Sequence, residues 1–162
     1  MRYTTVNNRV IEYDDLDPAG AGFLTKLEAL VADDTVSPDK MRGIFYGLEN
    51  PVLDSHVLPG HAIITKASLR DPIFHIGIDC LSRKDIRVGR TDLAQAQAAY
   101  TVDVPTAAEQ LGVSPQAVRA GIDSFKYDAL FAKGQWWMRP ETVASLRLSR
   151  AGGRLVKVTD PS

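Results

Sequence analysis

Gln116 and Arg119 stand three residues apart in the run from Ser114 to Asp123. On a helix that spacing sets an amide and a guanidinium side by side on one face. A Gln amide matches adenine N6/N7 and an Arg fork matches guanine O6/N7, so the pair is suited to reading base edges in the major groove of duplex DNA. A second set, Asp54, His56 and His61, offers three metal ligands within one loop, and His75 with Asp79 has i,i+4 spacing. It fits no dedicated metal pattern, neither paired CxxC nor HExxH. Scattered loop histidines beside one buried cysteine, Cys80, are the commoner arrangement. There is no P-loop, GxSxG elbow or GxGxxG run, and nothing pairs a nucleophile with its base. No enzymatic activity, cofactor or metal is expected.

The elements that would carry Gln116 and Arg119 can be read around them. Thr106 is a plausible N-cap, Ala107, Ala108 and Leu111 form an apolar stripe, and Gly112 suits a left-handed helix end. Val113 turns inward, and Ser114 with Pro115 restarts the chain as N-cap and first helical residue. On the second helix Val118 and Ile122 face the first, leaving Gln116, Arg119, Ala120 and Asp123 on the outer side. Gly121 costs about 1 kcal/mol relative to Ala inside a helix, which is explained if the first helix crosses closely over it. Ala129 to Ala132 and Gln135 to Met138 read as strands joined by a tight Lys133-Gly134 turn. Pro140-Glu141 opens a last helix with Val143, Leu146 and Leu148 as its apolar positions. Trp136 and Trp137 are adjacent, so in a strand only one enters the core easily.

In the order TAAEQLGVSPQAVR…DALFAKGQWWMRPETVASL, roughly a third of the chain resembles the excisionase-like and MerR-like winged helix-turn-helix domains. The resemblance implies binding of double-stranded DNA, with the second helix in the major groove and the wing on a flanking phosphate or in the minor groove. The expected division of labour has Gln116 and Arg119 specifying sequence while Lys133, Arg139, Arg147 and a basic tail hold phosphates. Ser114, Lys126 and Gln135 complete the contact set. Against this stand plainer readings. Such helix pairs also occur where they only pack, or dock a partner protein as an adaptor. Arg119 and Asp123, four apart, suit a surface ion pair worth a few tenths of a kcal/mol, and tryptophans in a small wing are more often packing residues than nucleic-acid stackers.

Charge is distributed in keeping with the DNA reading. Residues 1–100 hold 11 Lys/Arg against 14 Asp/Glu, and residues 101–162 hold 8 against 6. From Gly112 to Val158 the count is 8 basic against 3 acidic, so positive charge lies on and beyond the reading helix. A net charge of −1 for the whole argues against coating nucleic acid by bulk attraction. With 162 residues, 44% of them hydrophobic, the chain suits one or two small domains with a real core. No apolar run approaches a membrane span and MRYTTVNNRV lacks a signal peptide's apolar region. The single Cys80 forbids an intrachain disulfide, which makes a cytoplasmic protein without membrane association the expectation.

The expected fold class is α+β, mainly helical, with an N-terminal β-hairpin plus helices and a C-terminal winged helix-turn-helix. Residues 1–91 are read as an α+β domain for dimerisation or partner contact, 92–150 as the DNA-binding domain and 151–162 as a basic tail. Val10 to Tyr13 pairs with Tyr3 to Val6 across a type I′ turn at Asn7-Asn8. Asp17-Pro18 caps a helix reaching about Ala32 with a stripe of Phe23, Leu24, Leu27, Leu30 and Val31. Ser37-Pro38-Asp39 starts another, with Met41, Ile44, Phe45 and Leu48 inward, stopped by Asn50-Pro51. Residues 51–62 read as loop and Thr65 to Leu69 as a helical piece. Pro72 to Leu81 is ambiguous between helix and strand, Asp85 to Thr91 reads as a polar linker, and Asp92 to Tyr100 as a helix. A homodimer is expected, because one module with two base readers specifies too little alone. The hairpin Tyr3 to Tyr13 and the stripe Phe23, Leu27, Leu30 are its first candidate surfaces, unless those residues are internal.

Overall fold

The computed structural model describes the backbone of residues 1–58 and 61–159, and the side chains of 1–53 and 62–149. The chain is α+β with small antiparallel sheets and divides into two compact units, Met1–Gln95 and Ala96–Ser162.

In the first unit β1 (Arg2–Thr4) pairs antiparallel with β2 (Val10–Glu12), Tyr3 lying opposite Ile11. The connection is not the two-residue type I′ turn expected at Asn7-Asn8. Thr5 N–H bonds Arg9 O, which leaves a three-residue loop in which Asn8 alone, at φ 60°, is left-handed. Helix α1 (Pro18–Ala32) begins at the Asp17 cap, whose carboxylate accepts from Gly20 N at 2.8 Å, and α2 (Pro38–Phe45) begins at Ser37. Leu48 lies beyond the end of α2 and is 54% exposed, so it is not part of the core. Residues 51–62, read as loop from their Pro and Gly, instead contain β3 (Asp54–Leu58) and β4 (His61–Ile63), paired antiparallel through a register irregularity. The expected helix at Thr65 to Leu69 is a single 3-10 turn at Ser68–Arg70.

Helix α3 (Pro72–Arg87) settles the helix-or-strand ambiguity and runs six residues past Leu81, into the first part of the expected linker. Its apolar face, with Ile73, Phe74, Ile76 and Leu81 buried, lies chiefly along α1. Phe23 and Leu27 of the stripe first suspected as a dimer surface are buried within this unit, and Leu30 is half-buried. Gly77 is required where the α2 residue Phe45 crosses: a Cβ there would sit 2.2 Å from the ring. The polar end of α3 looked like linker because its charges find partners in distant segments. Arg42 grips Asp85 with both guanidinium branches, Arg87 bonds Asp34 at 2.9 Å, and Arg90 just beyond the helix bonds Asp39 at 2.9 Å. Buried Lys84 donates to Leu30 O and Asp33 O at 3.0 and 2.7 Å.

The hairpin is held to α3 by Asp79, which is buried and accepts from Tyr3 Oη at 2.6 Å, Val6 N at 2.8 Å and Arg83 Nε at 2.8 Å. Burial and the bond to Asp79 raise the Tyr3 phenol far above its ordinary range, and burial pushes the Cys80 thiol up to about 11. Both groups are neutral in the native state at neutral pH and ionise more readily once unfolded. Their contribution is therefore complete below the unfolded values and is lost as pH rises through roughly 8.5 to 10 and above. Unfolding followed against pH should show this alkaline loss, and Tyr3→Phe should remove most of it while lowering stability at pH 7 by about 1 kcal/mol. An unchanged alkaline limb in Tyr3→Phe would remove Tyr3 from that role.

The chain continues with α4 (Leu93–Ala98), close to the helix expected from Asp92, and then β5 (Val102–Asp103), α5 (Val104–Leu111), α6 (Pro115–Asp123), β6 (Leu130–Ala132), β7 (Gln135–Met138) and α7 (Pro140–Thr159). The sheet order is β5-β7-β6, all antiparallel. Val104, Ala107, Ala108, Leu111, Val118, Ile122, Met138 and Val143 form the core of the second unit, with Val113 and Leu146 packed at its edge. Leu148 falls off that stripe, five residues on from Val143, and is 71% exposed. The helical backbone of α7 runs through most of the segment read as a basic tail. The side chains of Arg150, Arg154 and Lys157 lie outside the described residues.

Candidate nucleic-acid interface

The N-cap of α5 is Asp103, not Thr106. Its carboxylate accepts from Thr106 N at 2.9 Å, and the hydrogen bonds of Thr106 hold that carboxyl below its ordinary range. Pro105 explains the shift, because a proline without N–H is tolerated only in the first turn and so places the cap before it. Helix α5 ends in a Schellman motif with Gly112 left-handed at φ 67°. Val113 N–H reaches Ala108 O and Gly112 N–H reaches Glu109 O. One residue later Ser114 caps α6, accepting from Ala117 N at 3.1 Å. That bond uses an acceptor lone pair of the Ser114 hydroxyl and leaves its O–H direction to other partners.

Val118 and Ile122 of α6 are fully buried, so Gln116, Arg119, Ala120 and Asp123 share the exposed side as their spacing predicts. The i,i+4 ion pair between Arg119 and Asp123 does not form; among the described residues neither has a hydrogen bond or ion pair. Helix α6 also closes in a Schellman motif, from Lys126 N to Gly121 O at 2.8 Å and Phe125 N to Ile122 O at 3.1 Å. The left-handed position is held by Phe125 at φ 63°, an uncommon conformation for a bulky side chain. This turn folds Tyr127 back over the helix. The ring, and not α5, is what makes Gly121 necessary, since a Cβ there would lie 2.3 Å from Tyr127 Cε2. Lys126 sits over the same ring at 5.6 Å.

The β6–β7 turn at Lys133-Gly134 is as expected, with both residues left-handed at φ 53° and 74°, and it projects Lys133 and Gln135 into solvent. Both tryptophans have structural employment. Trp136 packs on the core of the unit and meets Phe131 edge-on at 5.1 Å, and Trp137 Nε1 donates to Ala132 O at 3.0 Å across the hairpin. Arg139 is different from the other cations. It bonds Asp128 at 3.3 Å and lies over the Tyr100 ring at 5.6 Å, and Tyr100 Oη donates to the same Asp128 oxygen at 2.7 Å. No one local stretch marks this clasp, because the β6–β7 hairpin brings Asp128 opposite Arg139 while the β5–β7 pairing brings in Tyr100. Arg147 is exposed on α7.

Of the metal-ligand candidates, His75 and Asp79 are both engaged elsewhere. His75 Nε2 lies 2.6 Å from Leu69 O, burial lowers the pKa of that imidazole, and Asp79 is filled by three donors. The side chains of Asp54, His56 and His61 lie outside the described residues. Among the described residues no group of three His, Cys, Asp or Glu could hold a metal, and no helix is long and apolar enough to cross a membrane.

Comparison with known proteins brings no match: no family model fits the chain, and no curated protein and no solved structure matches it.

Proposed function

We propose that the second unit is a winged helix-turn-helix that binds double-stranded DNA in a sequence-specific manner, as a transcriptional regulator or an accessory factor in recombination. The carrying observation is a contrast in how cations are used. In the first unit most cations, among them Lys26, Arg42, Arg83, Arg87 and Arg90, are paired with a carboxylate, and Lys40, Lys66 and Arg70 are the exposed exceptions; among the described residues of the second unit only Arg139 is paired. There, Arg119, Lys126, Lys133 and Arg147 are exposed and none has a carboxylate partner. Cations kept without internal partners around a helix with a polar outer stripe suit an external polyanion. On this reading α6 enters the major groove, Gln116 and Arg119 read bases, and Lys126, Lys133 and Arg147 meet phosphates. The homodimer belongs to the same proposal and rests on the need for two half-sites. A protein-docking adaptor is the second reading, favoured by exposed Phe131 and Leu148 in this unit.

Anisotropy titration of duplexes selected from a randomised pool tests the proposal. Arg119→Ala should weaken the selected duplex by about 1 to 3 kcal/mol and relax preference at one base pair. Equal affinity and selectivity in the mutant would take Arg119 out of the reading role. Absence of salt-dependent duplex binding by the parent, with a protein partner bound stoichiometrically, would establish the adaptor instead.

The wing divides further. Lys133→Ala should weaken all duplexes alike and reduce the slope of log K against log salt by about one. Arg139→Ala should reduce that slope less, because Asp128 already offsets its charge. Equal slopes for the two variants would show that Arg139 leaves the clasp to meet a phosphate.

A further inference from the structure

Asp123 breaks two local rules at once. It is an acidic residue in the last turn of α6, where the helix dipole disfavours negative charge, and it stays unpaired although Arg119 lies one turn back. Facing DNA, its carboxylate would also be repelled by phosphates. A residue that is costly to its helix and to general affinity needs a compensating contact. In a major groove a carboxylate finds one in the exocyclic amino group of cytosine, which donates a hydrogen bond that thymine's O4 cannot. Asp123 shares the exposed stripe of Gln116, Arg119 and Ala120, seven residues from Gln116. That separation is about 10 Å along the axis, roughly three base-pair steps. Resting on the DNA-binding reading proposed above, we infer that Asp123 is a specificity-determining residue that reads a cytosine in the target and excludes thymine at that position.

The test is selection from a randomised duplex pool by the full chain and by its Asp123→Asn, Asp123→Ala and Asp123→Glu variants, followed by titration of the selected duplex and its single C-to-T variant. The parent should enrich one position for cytosine on one strand. Asp123→Ala should lose that preference, with discrimination against the C-to-T duplex falling roughly 5- to 150-fold while binding to unrelated duplexes tightens. Asp123→Asn should change the preferred base to adenine, whose N6/N7 edge a carboxamide matches, which no merely structural role would produce. Asp123→Glu, which keeps the carboxylate, should retain the cytosine preference. A motif unchanged across all variants, with Asp123→Ala tightening every duplex in equal proportion, would overturn the inference while leaving duplex binding intact. A parent that enriches nothing and binds no duplex would overturn the DNA reading itself, and this inference with it.

Discussion

Asp79→Ala is expected to cost the protein about 2 to 4 kcal/mol, the desolvation of the donors it leaves without an acceptor, while the half-exposed Arg83 guanidinium is solvated instead. The carboxylate is buried and accepts three hydrogen bonds from two directions: Tyr3 Oη and Val6 N on the hairpin, Arg83 Nε on its own helix. Removing it leaves a phenol and a backbone N–H without an acceptor at the seam between hairpin and α3, and each orphaned donor costs its full desolvation. Arg83 also loses its anchor, though it keeps Thr4 O at 2.8 Å. Asp79→Asn should cost less, about 2 kcal/mol, because one acceptor survives while the charge against Arg83 does not. Both tryptophans lie in the second unit, so urea unfolding must be followed by far-UV circular dichroism rather than by tryptophan emission. A midpoint within about 0.5 kcal/mol of the parent would show that water replaces the carboxylate and that the hairpin is held by burial of Ile11 alone.

What could be read from the sequence follows from how local each device is. The two helix starts at Asp17-Pro18 and Ser37-Pro38, the Ser114-Pro115 restart, the Gly112 end and the Lys133-Gly134 turn all depend on a few adjacent residues, and each stands where expected. The outer stripe of α6 was legible for the same reason, since a helical period alone fixes it. The failures share a different cause. Asp85 to Thr91 looks like linker because its charges are unexplained until α2 and the loop after α1 arrive to pair with them. Gly121 announced a close approach, but only the left-handed Phe125 turn makes Tyr127 the residue that approaches. Arg139 has the composition of a phosphate ligand, yet Tyr100 and Asp128 hold it from 39 and 11 positions away in the chain. Thr106 is a good cap by type. Asp103 takes the role because Pro105, in the first turn, lets the helix begin three residues earlier.

Lys84→Met should destabilise the first unit by about 2 to 4 kcal/mol, the loss of two charge-assisted hydrogen bonds that leave their acceptors behind. The ammonium is fully buried and donates to Leu30 O and Asp33 O at the C-terminus of α1. That helix end has no basic residue in its own last turn, and its cap residue, Asp33, has the wrong sign for the dipole. Lys84 supplies the missing cation from α3, 51 positions on from Asp33. Replacing both members of a buried polar pair with apolar groups can be neutral, but here the acceptors are backbone carbonyls that cannot be mutated away, so the asymmetric cost applies. Methionine keeps the length and apolar stem and so separates the hydrogen bonds from packing. Two readouts are expected to agree: a lower urea midpoint by far-UV circular dichroism, and faster hydrogen exchange for amides in the last turn of α1 than for those near Phe23. If Lys84→Met matched the parent in both, the desolvation cost of the ammonium would cancel its contacts, and α1 would be held to α3 by apolar packing alone.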